Sequence, residues 1–222
     1  MAIPMQDHLE MNLNPATLLF RLNIDATYRS MAEKAFGSPT LDMARVEKAI
    51  ASFERTLLSG ASPFDRFYFG GDKSALTPSQ IRGLLVFQDS GRGNCVVCHT
   101  IGKDHALFTD GKFHNIGVGV RDDESIADKG RFGQTAAASD TGAFLTPTLR
   151  NVALTAPYMH DGSEQTLERV VDYYAGHGNS NPYLDPEMAK IHLSAQEKAD
   201  LVEFLKSLTG TMPQQVGPPA KE

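Results

Sequence analysis

The sequence predicts an all-α chain. Apolar residues recur every three to four positions over several stretches, the period of a helix with one buried face. Two of those stretches open on a Ser/Thr-x-x-Glu/Gln helix start. Strand signals, meaning alternating apolar and polar residues between turn residues, are weak throughout. The elements follow in order. A helix over residues 26–36 stops at Gly37, where a left-handed cap needs no side chain. Residues 40–58 place Leu41, Val46, Ile50, Phe53 and Leu57 near helical spacing, and Gly60 and Pro63 end the run. Thr77-Pro78-Ser79-Gln80 puts Pro at the first helical position and Gln where a capping box needs it. The helix it opens carries Ile81, Leu84, Leu85 and Phe87. Residues 166–174 keep the helical period. Ser194-Ala195-Gln196-Glu197 is a second capping box, opening a helix to Leu208 that ends near Gly210. Residues 108–147 are rich in Gly and Asp and lack a period, and so long a loop inside a compact domain usually has a function.

The most informative segment is Cys95-Val96-Val97-Cys98-His99, which holds the only 2 cysteines of the 222 residues. Two residues between the thiols, with a histidine directly after the second, form the attachment signature of c-type haem. The spacing offers both sulfurs to the vinyl groups, and His99 then supplies the proximal imidazole. A thioredoxin-like pair requires a βαβ setting, and structural zinc requires four ligands. No second CxxC or spaced His pair completes such a zinc site. One covalent haem c on Cys95 and Cys98 is therefore expected, enclosed by the loop at 108–147. Two parts follow: a helical segment over residues 1–70, and a cytochrome c-like haem domain over residues 71–211. Ser62-Pro63-Phe64-Asp65-Arg66 marks the junction, and residues 212–222, Pro-rich and polar, form a disordered tail.

The formal charge of −6 argues against nucleic acid as a partner and leaves docking to a basic electron donor open. No run of about 18 apolar residues is present, so no membrane span is expected. Haem c attachment implies export and a periplasmic location, yet MAIPMQDHLEMNLNP has neither the basic nor the apolar region of a signal peptide. A leader already removed, or a start further upstream, would reconcile the two.

FERTLLSGASPFDRF, CVVCHT, FTDGKFHNIGVG, DKGRFG, TPTLRNVALTAPYMHDG, TLERVVDYY and DLVEFLKSLTG occur in this order. Together they resemble the bacterial dihaem cytochrome c peroxidases and the related MauG-type enzymes. The resemblance covers nearly all of the chain after residue 4. It implies two haem domains, the first reacting with hydrogen peroxide and the second relaying electrons from a small donor such as a cytochrome or cupredoxin. The single CxxCH matches the electron-relaying one, so the chain resembles a truncated or split member. It also implies a distal iron ligand at Tyr174, with Met159 as the alternative, and a haem-proximal place for His160. Phenolate ligation would lower the potential, whereas Met would raise it. Carbonyl oxygens of Thr155 and Pro157 match positions that bind calcium. Glu10, at the family's spacing from Pro4, matches the acid–base catalyst of the peroxide site and would be a vestige without the haem upstream. The family often forms homodimers. Arg131 and Arg150 are candidates for neutralising haem propionates. His105, His177 and His192 read as structural, and His114 as the lone histidine nearest the haem. The competing function is a monohaem electron carrier with no substrate chemistry.

Overall fold

The computed structural model describes residues 2–121 and 123–211. The expected disordered tail at 212–222 lies outside them. The fold is dominated by helices, and two compact units divide it between Leu58 and Ser59.

The first unit contains α1 (Ala2–Gln6), α2 (Pro15–Ile24), α3 (Ala26–Phe36) and α4 (Met43–Glu54). Caps define these helices. Asn14 accepts from the amides of Ala16 and Thr17, and Asp25 from those of Thr27 and Tyr28. Gly37 closes α3 at φ 69°, as its position requires. Asn23 ties the end of α2 to the approach to α4 by exchanging two hydrogen bonds with the Leu41 backbone. The core is thin. Met5, Ala32 and Val46 are the buried apolar side chains among the described residues of this unit, and α2 buries none.

The second unit holds α5 (Pro63–Tyr68), α6 (Pro78–Gln88), the two-residue strand β1 (Phe113–His114), α7 (Phe132–Thr135), β2 (Phe144–Leu145), α8 (Leu167–Ala175) and α9 (Ala195–Lys206). Strand β1 pairs antiparallel with β2, placing Phe113 opposite Leu145 and His114 opposite Phe144. These strands lie within the stretch that lacked a period, where two-residue strands leave no alternation to read. The capping boxes at Thr77 and Ser194 both form. A first part ending at residue 70 would include α5. The structure seats it in the second unit, because Phe64 is fully buried against Phe69, Phe108 and Phe204 with ring centroids 5.1–5.8 Å apart. Burial of each such ring contributes about 1.5–3 kcal/mol.

Helices α6 and α9 cross at Gly83. A Cβ there would lie 2.0 Å from the Asp200 carbonyl oxygen, so only glycine admits this approach. Beside the crossing, Arg82 grips the buried Asp200 carboxylate through Nε and Nη2, both at 2.7 Å, and Ser79 Oγ donates to it as well.

Candidate haem-binding site

Behind the α6–α9 pair lies an apolar cavity of about 580 Å³. Its walls come from α6 (Phe87), the cysteine motif, β1 and β2, α8 and α9. Asn94 stands just before the motif in the left-handed region, at φ 51°, and turns the chain into a 3₁₀ turn over Cys95–Val97. The Asn94 amide donates to Glu187 at 2.7 Å, which pins this turn to a segment 93 residues away.

Cys95, Cys98 and His99 all line the cavity, and the two thiols are free. Burial, reinforced by the neighbouring thiol, pushes Cys95 up to about 12. Burial and the carboxylates of Asp185, Asp110 and Glu187 push Cys98 up to about 12 as well. The His99 pKa is lowered, chiefly by burial, which favours the neutral ring. His99 Nδ1 lies 2.8 Å from the Phe108 carbonyl. A carbonyl can only accept, so Nδ1 carries the proton and Nε2 keeps its lone pair for a metal.

Tyr174, Met159, His160, Thr155 and Pro157 line the same cavity. The adjacent tyrosines differ. Tyr158 and Tyr173 spend their hydroxyls on the carbonyls of Val152 and Ile116, each at 3.0 Å. The Tyr174 hydroxyl has no hydrogen-bond partner among the described residues. Burial raises the Tyr174 pKa strongly, and the two cysteines add to the shift. His160 stacks on Phe144 with centroids 3.7 Å apart. Met159 takes the left-handed φ of 68°, uncommon for a residue with a long side chain.

Three sequence-derived candidates lie elsewhere. Arg150 does not line the cavity. It clamps Asp65 with Nη1 and Nη2, both at 2.9 Å, and donates from Nε to the Ala106 carbonyl at 2.7 Å, fastening α5 to the loop after the cysteine motif. Burial pushes Asp65 upward, but the hydrogen bonds from Arg150 and Ser62 outweigh it and hold the carboxyl low. Arg131 covers the Phe113 ring at 4.2 Å and pairs with Asp140 at 3.2 Å. Glu10 is exposed in a turn of the first unit. Sequence reasoning missed Asp185 and Glu187, which join His114 and Asn94 in the wall. Their partners lie 71 and 93 residues away, a pairing that no local spacing reports.

The donor set fits a c-type haem. Cys95, Cys98 and His99, whose Nδ1–H is spent on the Phe108 carbonyl, line one largely apolar volume of the size that holds cofactors. Among the described residues no group of three or more His, Cys, Asp and Glu is arranged for a metal ion. No described helix is long and apolar enough to cross a membrane.

Comparison with known proteins points the same way. Residues 1–74 match the family model for di-haem cytochrome c peroxidase, and residues 81–209 match that for cytochrome c. The methylamine utilization protein MauG of Methylophilus methylotrophus is 37% identical over 208 residues, covering 94% of this chain and 59% of MauG. The cytochrome c551 peroxidase of Pseudomonas aeruginosa is 35% identical over 217 residues, covering 95% of this chain and 57% of that protein. The crystal structure of a MauG-like protein associated with microbial copper homeostasis superposes with a TM-score of 0.76 at 32% identity, over 95% of this chain and 67% of that one. The diheme peroxidase BthA of Burkholderia thailandensis shares the fold, with a TM-score of 0.65 at 24% identity. The chain thus spans a little under three fifths of the length of these curated relatives, 59% and 57%.

Proposed function

The chain belongs to the cytochrome c family, in its dihaem cytochrome c peroxidase and MauG group, and from this premise we propose that it is the electron-relaying half of a peroxide-reducing oxidoreductase. One observation carries the reading: Cys95, Cys98, the lone pair of His99 Nε2 and the unpartnered hydroxyl of Tyr174 converge on one apolar cavity. When bound, haem supplies an iron that alternates between ferric and ferrous states. Cys95 and Cys98 would hold it through thioethers, each sulfur adding across one vinyl group. His99 would ligate through Nε2, kept in the correct tautomer by the Phe108 carbonyl. Tyr174 would be the second ligand, Met159 standing by as the alternative. The walls are largely apolar, which suits an enclosed haem that transfers electrons.

Hydrogen peroxide as the final acceptor and a cytochrome or cupredoxin as donor are what the family suggests, while a single haem in this chain is supported by its one CxxCH and a periplasmic setting by haem c attachment. Calcium at Thr155 and Pro157 is supported by their carbonyls, neither of which accepts a hydrogen bond among the described residues. Glu10, exposed in the first unit, is assigned no step.

The test begins with the chain exported alongside a haem-maturation system. Haem staining on a denaturing gel should be positive and should weaken in Cys95→Ala and in Cys98→Ala. Staining unchanged by either substitution would refute covalent attachment. Tyr174→Phe should change the visible spectrum; an unchanged spectrum would transfer the ligand role to Met159.

A further inference from the structure

We propose that His114, held between Asp110 and Asp185 in the cavity wall, is the group that takes up a proton when the site takes up an electron. The proposal rests on the haem reading above and adds a role for side chains that reading leaves unused.

The geometry is specific. His114 Nδ1 lies 2.6 Å from Asp185 Oδ2, and Nε2 lies 3.1 Å from Asp110 Oδ2. A neutral imidazole has one N–H and one lone pair. It would satisfy one carboxylate and aim its lone pair at the other. Only the imidazolium donates to both. The carboxylates are themselves fixed, because Asp110 Oδ1 accepts from the Lys112 amide and Asp185 Oδ1 from the Glu187 amide, each at 2.9 Å. The three side chains are 17%, 7% and 20% exposed, so solvent screens the arrangement only in part. Burial pushes the His114 pKa down, but its hydrogen bonds to the Asp185 and Asp110 carboxylates outweigh it and the net shift is upward.

The cluster also stands close to the electron site. His114 and Asp185 line the cavity together with Cys98 and His99, and the charge of His114 bears on His99. The other charges acting here are Lys112 and Glu187, which bear on Cys98 with the two aspartates. Three further titratable side chains, Tyr158, His160 and Tyr174, lie in the same cavity.

An electron added to the site makes it one unit more negative and so favours a cation in its wall. Below its own pKa, His114 already carries that proton and reduction moves none. Between its pKa in the oxidised protein and its higher pKa in the reduced one, one electron from a one-electron reductant is accompanied by up to one proton passing from solvent to Nε2, the longer of the two contacts. No bond to the iron forms or breaks in this step. The reduction potential should therefore be level with pH below the oxidised-state pKa of His114, fall with rising pH between the two values, and level off again above the reduced-state one.

The experiment is a potentiometric titration of the haem-loaded chain, with small mediators as reductant, across a pH series. In the wild type a break is expected above the ordinary histidine value. His114→Gln should lower the low-pH potential and abolish the break. Asp110→Asn should move it to lower pH. If His114→Gln does not fold, Asp110→Asn decides, together with imidazole nitrogen NMR of the wild type. That NMR should find His114 titrating at higher pH in the reduced protein than in the oxidised one. A break that persists in His114→Gln or stays put in Asp110→Asn overturns the proposal while leaving covalent haem intact. A wild-type chain that stains for no haem overturns both readings.

Discussion

The first unit, ending at Leu58, and the second, starting at Ser59, are built from equally well-capped helices but hold together differently. In the first unit Phe20, Ile24, Tyr28, Met31 and Phe53 are exposed. In the second, Phe64, Phe87, Phe108 and Phe204 interlock in a closed cluster beside the cavity. Caps satisfy the backbone of a helix end, but they contribute only about 1 kcal/mol each. Tertiary stability comes from buried apolar area, at roughly 25 cal/mol per Å². The comparison separates the two tasks: forming helices and forming a core.

That contrast can be broken most directly at Phe204. Phe204→Ala should cost about 3–5 kcal/mol by leaving a cavity among rings that cannot collapse. Urea unfolding would measure it; a cost below about 1 kcal/mol would mean the cluster is not the core.

Acid sharpens the same contrast. Arg82 and Ser79 hold Asp200 at about 2, against an ordinary 3.8. Its folded pKa is depressed, so its stabilisation is present above the unfolded value and is lost as pH falls from about 4 towards about 2. Thermal melts across that window should show the second unit losing stability, and Asp200→Asn should flatten the loss. An unaltered acid limb in the variant would assign it to other carboxylates.

A smaller effect is expected at the caps. Thr77→Ala removes the side chain that accepts from the Gln80 amide and should cost about 1 kcal/mol, as should Asn14→Ala for α2 if that helix is stable alone. Circular dichroism of both variants would compare the two units directly. The smallest effect belongs to Phe53→Ala, within about 0.5 kcal/mol for an exposed position. A cost above about 2 kcal/mol there would show that this face is covered in solution.

The sequence made plain what is local. Gly37, the boxes at Thr77 and Ser194, and the Cys95-to-His99 pentapeptide each act within five residues, and the structure keeps each helix boundary within a turn or two. The resemblance to the dihaem peroxidases and MauG is likewise upheld by the family matches. Helix α2 escaped because its helical signal is an Asn cap before Pro15 rather than a buried stripe. The partners of Arg150 and His114 escaped for another reason. A free arginine and one bound to Asp65 read alike in sequence, and the partner of His114 follows it by 71 residues. Long-range pairing belongs to topology, which periodicity does not encode.

One glycine sets a dimension that no cavity residue controls. Phe87 on α6 and Leu201 and Leu205 on α9 face the cavity from either side of the contact at Gly83. Any side chain at 83 would prise the helices apart and so widen the chamber for whatever it contains. A position that touches neither thiol nor imidazole can therefore disturb the chamber from outside it, and a mutational scan should find larger residues at 83 poorly tolerated.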